Sequence, residues 1–83
     1  MLLSRRVRAS GGWAKGAQGQ HLKLRLDDGA GGPALDAIAF RLGHLAEHFR
    51  TPRWIDIAYT LEVNEWNGSR TLQLNVKDFR RAQ

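Results

Sequence analysis

The side chains able to do chemistry in this 83-residue chain are three histidines, three exposed-type serines, eight carboxylates and thirteen cations, with no cysteine. His44 and His48 are one helical turn apart, a spacing that suits two ligands of a metal ion. No carboxylate or cysteine is poised as a third ligand, and His21 belongs to another segment. Two solvent-facing histidines are the simpler reading. Ser4, Ser10 and Ser69 have no histidine near them in sequence, and Asp27-Asp28 reads as a turn rather than an acid–base pair. No catalytic residue, no metal ligand and no small-molecule cofactor are therefore expected in this chain. The absence of cysteine excludes disulfides and thiolate sites and fits a reducing, cytoplasmic setting.

Recognition chemistry remains. Ten of the thirteen cations are arginine, and the formal net charge is +5. The planar guanidinium fork suits phosphate oxygens and stacks on bases, so a polyanionic partner is indicated, although solubility alone also makes small proteins basic. Binding a single strand of nucleic acid needs cations that follow the phosphates and flat side chains on which bases stack. Trp13 and Lys15 lie in a glycine-rich segment, where Trp13 is either a stacking platform or a lid folded over a sheet edge, two readings of equal weight. His21, Lys23 and Arg25 alternate with leucines and share one face. Trp66 and Arg70 flank a later turn. There Trp66 braces the turn or stacks, with bracing slightly favoured, and Arg70 contacts phosphate or pairs with Glu62 or Glu65. Arg5, Arg6 and Arg8 extend the positive face or protect a strand edge. Phe40 stacks from the third strand or fills the core, with the core favoured; Tyr59 is assigned to the core, and Trp54 to packing against a helix.

These residues are carried by elements legible in the hydrophobic pattern. Ile55, Ile57, Tyr59, Leu61 and Val63 alternate with polar or small residues, which predicts a half-buried strand from about Trp54 to Glu65. Asn67-Gly68 follows, the strongest short-range hairpin signal, because both residues tolerate positive φ. Leu72, Leu74 and Val76 then form the returning strand. Earlier, Leu22, Leu24 and Leu26 mark a strand ending at Asp27-Asp28-Gly29, and Ala34 to Phe40 is a short strand of mixed facing. Leu3 to Ala9 reads as the first strand, and Ser10 to Gly19 as a long mobile connection. Leu45, Ala46 and Phe49 have helical spacing within Gly43 to Arg50, and Thr51-Pro52 ends that helix.

The order is three strands, one short helix and two long strands within one domain, residues 1–83. That is the order of an all-β, five-stranded Greek-key barrel of the OB type, in which ligands lie across strands two and three. No apolar run is long enough to span a membrane, and Met1-Leu2-Leu3 leads into arginines without a signal-peptide core, so a soluble, unexported protein is expected.

Three stretches go beyond fold pattern: His21 to Leu26, Asp36 to Phe40, and above all the run Leu61-Glu62-Val63-Asn64-Glu65-Trp66-Asn67-Gly68-Ser69-Arg70-Thr71-Leu72-Gln73-Leu74 continuing to Asp78. Together, from roughly Val7 to Phe79, they resemble the OB domain near the C-terminus of the bacterial RecJ family, single-strand-specific exonucleases that degrade DNA from the 5′ end. The resemblance implies a DNA-binding module beside an upstream DHH-type catalytic domain that holds divalent metal, and this chain has no Asp-His-His run. Single-stranded DNA and that catalytic domain are the expected partners. The alternatives are a protein-docking or spacer barrel within a larger repair enzyme, and, more remotely, a free-standing RNA-binding barrel of the cold-shock kind.

Overall fold

Leucines 22, 24 and 26 are all buried, and the strand that carries them is the centre of the fold. The structure, a computed structural model, describes residues 1–82, and the side chain of Trp66 lies outside the described set. The elements are β1 (Leu2–Lys15), β2 (His21–Asp27), β3 (Leu35–Ala39), a 3₁₀ helix (Gly43–Phe49), β4 (Arg53–Trp66) and β5 (Ser69–Arg81). They close into a barrel in the order β1-β2-β3-β5-β4, with β1 hydrogen-bonded to both β2 and β4. The ladders are antiparallel except for β3 against β5, where Ala37 is level with Leu74. This is the OB topology that the element order predicts.

Period-two patterning explains the core directly. The inward residues of β2 meet Ala9, Ala37, Ala39, Ile55, Ile57, Leu74 and Val76 inside the barrel. Leu22 and Leu24 are fully buried, each contributing about 2 kcal/mol by removal of apolar surface from water. Alanine at three of the facing positions leaves room for these leucines. Tyr59 packs at the margin of this core, as its parity requires, and its hydroxyl is 3.0 Å from Ser4 Oγ.

The 3₁₀ helix stoppers one end. Phe49 is buried under it, against Phe79 at 5.5 Å in an edge arrangement, while His44 and His48 face solvent. The fit is tight where the helix begins. Gly43 donates its N–H to the carbonyl of Gln20 at 3.0 Å, and a Cβ at Gly43 would come within 1.9 Å of the Gly19 carbonyl oxygen. Only glycine permits that approach.

Three expectations are corrected. The segment Ser10 to Gly19 is not one long connection, because β1 continues through Gly11 and Gly12 to Lys15. Its register slips between Ser10 and Trp13, where Gly11 takes φ +64°. The extra residue of this bulge breaks the alternation that marks a strand in sequence. Phe40 is not in the core but 48% exposed. Trp54 packs chiefly beneath the Arg6 guanidinium, 5.2 Å from its ring centroid, and against Gly29, as well as lining a cleft beside the helix.

The hairpin of β4 and β5 turns at Asn67 (φ 49°) and Gly68 (φ 80°), the positive pair of a two-residue primed turn. It overhangs the barrel. Leu61, Val63 and Leu72 keep inward parity there but are all more than half exposed, and Met1, Leu2 and Leu35 are exposed at the same end of the ladders. The end opposite the helix is thus an apolar rim.

Candidate nucleic-acid interface

The outward residues of β2 lie at the centre of three cross-strand rows. In the first, Trp13, Lys23, Ile38, Asn75 and Thr60 follow one another across β1, β2, β3, β5 and β4. The next holds Ser10, Arg25, Asp36, Gln73 and Glu62. On the other side Lys15 is opposite His21, and the Phe40 ring meets His21 edge-on at 4.9 Å. Alternation therefore places His21, Lys23 and Arg25 on one outer face, as predicted.

Their exposures differ sharply. Lys23 is only 8% exposed, and its row neighbours Ile38 and Asn75 are buried too, although all three point away from the core. From these exposures we infer a shallow groove with Lys23, Ile38 and Asn75 as its floor. Trp13 (43% exposed), Arg25 and Phe40 rise at its sides.

Electrostatics follow from that shape. Burial holds the Lys23 ammonium below the usual lysine range, repulsion from Lys15 adds to the effect, and Asp36 partly opposes it. Among the described residues Lys23 has no ion-pair partner. Arg25 is 3.6 Å from Asp36, an exposed pair worth little in water and easily exchanged for phosphate. On the floor, Asn75 Nδ2 donates to Glu62 Oε1 at 2.7 Å, which orients the amide, while Asn75 Oδ1 has no partner among the described residues.

His21 is fixed in one tautomer. The backbone N–H of Arg41 donates to its Nδ1 at 3.1 Å, so neutral His21 carries its proton on Nε2 and offers that N–H outward. Arg41 takes φ 67° in doing so, and its side chain is exposed. Arg41 and Phe40 are members of this face that the sequence reading did not select. Phe40 was detectable, since it shares parity with Asp36 and Ile38, the partners of Arg25 and Lys23. Nothing in the sequence marks the left-handed turn at Arg41.

Arg70 is elsewhere. It bonds Glu65 at the hairpin tip, with Nε to Oε1 at 2.9 Å. It lies five residues along β5 from Asn75, roughly 17 Å at about 3.4 Å per residue. The expected proximity of Arg70 to the first loop is not found, because the ladders put the two loops at opposite ends of the barrel. Trp66 is on the same tip, and its side chain lies outside the described residues. The groove gathers Trp13, Lys15, His21, Lys23 and Arg25; Arg70 stands apart.

A metal ion has no evident seat here. Among the described residues no three histidines or carboxylates are grouped to hold one, and no helix is long and apolar enough to cross a membrane.

The comparisons with known proteins agree with the barrel fold. The family model described as the RecJ OB domain matches residues 1–78. Proteins named single-stranded-DNA-specific exonuclease RecJ are similar to this chain. That of Salmonella typhimurium is 37% identical over 59 residues, covering 71% of the chain. That of Dickeya dadantii is 40% identical over 58 residues, covering 70%. That of Haemophilus influenzae is 41% identical over 63 residues, covering 76%. The matched region spans about a tenth of each relative, 10%, 10% and 11% respectively.

Proposed function

Since this chain belongs to the RecJ OB-domain family, we propose that it is the single-stranded-DNA-binding module of a RecJ-like 5′-to-3′ exonuclease acting in cytoplasmic DNA repair and recombination. The module supplies grip rather than catalysis. Divalent metal and the reacting groups belong to a catalytic domain outside these residues. The observation that carries the reading is this outer face, where Lys23, without an ion-pair partner among the described residues, shares a cross-strand row with the exposed Trp13 and Phe40 stands against the neighbouring His21. Phosphates run along Lys15, Lys23 and Arg25, while bases lie against Trp13 and Phe40 and accept from His21 Nε2. Trp66 and Arg70, at the hairpin tip, meet only a strand long enough to leave the groove.

The test is a titration of labelled oligo(dT) at low salt. Binding should weaken steeply with added salt, because each phosphate neutralised on a single strand contributes about 0.7 to the logarithmic slope. Charge reversal of Lys23 and Arg25 together should abolish it. Native affinity in that double variant, or none in the parent chain, defeats the proposal.

One observation favours a second role alongside the first. The apolar rim of Leu2, Leu35, Leu61, Val63 and Leu72 is larger than scattered surface leucines explain, and exposed contiguous apolar surface marks contact sites. It supports docking of the barrel against another part of the parent enzyme. Substituting Leu61 and Val63 with serine should leave oligo(dT) binding by this chain intact, yet impair the full-length enzyme's domain packing, read by limited proteolysis.

A further inference from the structure

Away from the groove, the 3₁₀ helix, the start of β4 and the end of β5 border a second concavity of about 590 Å³. Its interior is apolar, with Phe49, Ile55 and Phe79 below and Trp54 at the side. Its rim is cationic, carrying Arg6, Arg53 and Arg81. Among the described residues none of these three guanidiniums is paired with a carboxylate, whereas Arg8, Arg25, Arg50, Arg70 and Arg80 all are. Arg53 Nε donates to the carbonyl of His48, which anchors the side chain at the rim, and Arg6 is held over the Trp54 ring.

An aromatic hollow ringed by unneutralised forks is complementary to a ligand with a flat apolar body and a negative charge. We infer that this cleft holds one nucleotide of single-stranded nucleic acid, its base against Phe79 and the edge of Trp54 left open by Arg6, and its phosphate between Arg53 and Arg81. Guanidinium forks match phosphate oxygens, and base stacking on aromatic rings tolerates any sequence. The placement is also continuous with the groove. Phe40 and Arg41 end the groove, and the helix that begins at Gly43 finishes at Phe49 in the cleft wall. Its seven residues cover about 14 Å at roughly 2 Å each. His44 and His48 face solvent along that path. A strand leaving the groove needs only a few nucleotides to cross. The inference takes the identity of its ligand from the function proposed above, while the cleft itself is independent of the groove.

The experiment uses the 83-residue chain labelled with ¹⁵N, following the Trp54 indole N–H and the Nε–H groups of Arg53 and Arg81. Thymidine 5′-monophosphate should move all three, and inorganic phosphate should move the arginines alone. The Trp54 response should survive Lys23→Glu with Arg25→Glu, and vanish in Arg53→Gln with Arg81→Gln. Arg81→Gln alone, at a strand end, should weaken it without touching the barrel's methyl spectrum. Oligo(dT) long enough to cover both sites should bind roughly tenfold tighter than one that fills the groove, and the glutamine variant should lose that gain. A Trp54 signal indifferent to the nucleotide overturns the inference even if oligo(dT) binds through Lys23. So does a Trp54 signal that answers an Asp-Asp-Phe peptide in place of the nucleotide, which makes the cleft a peptide site. Native oligo(dT) affinity in the Lys23→Glu, Arg25→Glu variant with Trp54 still responsive defeats the groove reading alone.

Discussion

Trp13 is the direct cross-strand partner of Lys23, so the largest flat ring on the outer face stands beside the most deeply buried cation of the molecule. Burial, and after it the neighbouring charge of Lys15, holds that ammonium below the usual lysine range. Under the function proposed above, such a cation costs the free barrel some stability and gains on meeting phosphate.

Lys23→Met separates those two effects. It preserves the stem's volume and removes the charge, so the variant should be at least as stable as the parent while binding oligo(dT) several-fold more weakly. Thermal unfolding and fluorescence titration on the same sample check both. A variant that is less stable than the parent contradicts the role given to burial.

Arg25 and Arg70 test which face the strand follows. Arg25→Ala should weaken a short oligo(dT) by several-fold and reduce the salt slope by about 0.7. Arg70→Ala should change that affinity by less than about twofold, since an exposed pair with Glu65 is worth little. Equal effects from the two substitutions on a short ligand would mean that it lies along the hairpin instead.

Acid sensitivity should concentrate in two aspartates. Hydrogen bonds from the Arg8 side chain, then from the Gly29 N–H, hold the Asp27 carboxyl below the usual range, and the Arg6 N–H followed by Arg80 does so for Asp56. Both carboxylates are favoured as anions in the folded state. Their contribution is complete above the ordinary aspartate value of about 3.9 and is lost as pH falls through the depressed values. Asp27→Asn and Asp56→Asn should therefore lower the melting temperature at pH 7 and converge on the parent at the acid end of a pH series of melts.

Gly43→Ala should be among the most damaging single methyl additions. Its Cβ has no room beside the Gly19 carbonyl, and both neighbours are backbone, so a cost of about 3 kcal/mol is expected. Denaturant unfolding measures it. Because the clash falls on the loop between β1 and β2, the variant should also disturb Lys15 and His21 in an amide spectrum.

The long hairpin, the leucine strand and the turn at Asn67-Gly68 were legible because each obeys a local rule that the barrel does not override. The groove was legible only in part. Alternation says which side of a sheet Lys23 occupies, but not that Ile38, Asn75 and their taller neighbours make that side a trough. The same limit applies to Leu61 and Val63, inward by parity yet exposed because the hairpin outruns the barrel. β1 was foreshortened in the sequence reading, since its bulge at Gly11 replaces periodicity with glycine. Distances between loops depend on register, a property of pairs of strands, and so Arg70 was brought too near the first loop.

β1 is stitched on one side to β2 and on the other to β4. Two of the barrel's five hydrogen-bonded seams therefore depend on this one fourteen-residue strand, and the other four strands are made after it. A ribosome must release nearly the entire sequence before the circle can be completed, so the domain has no stable half. Nicking it anywhere before β4 should open the whole ring rather than shed a piece.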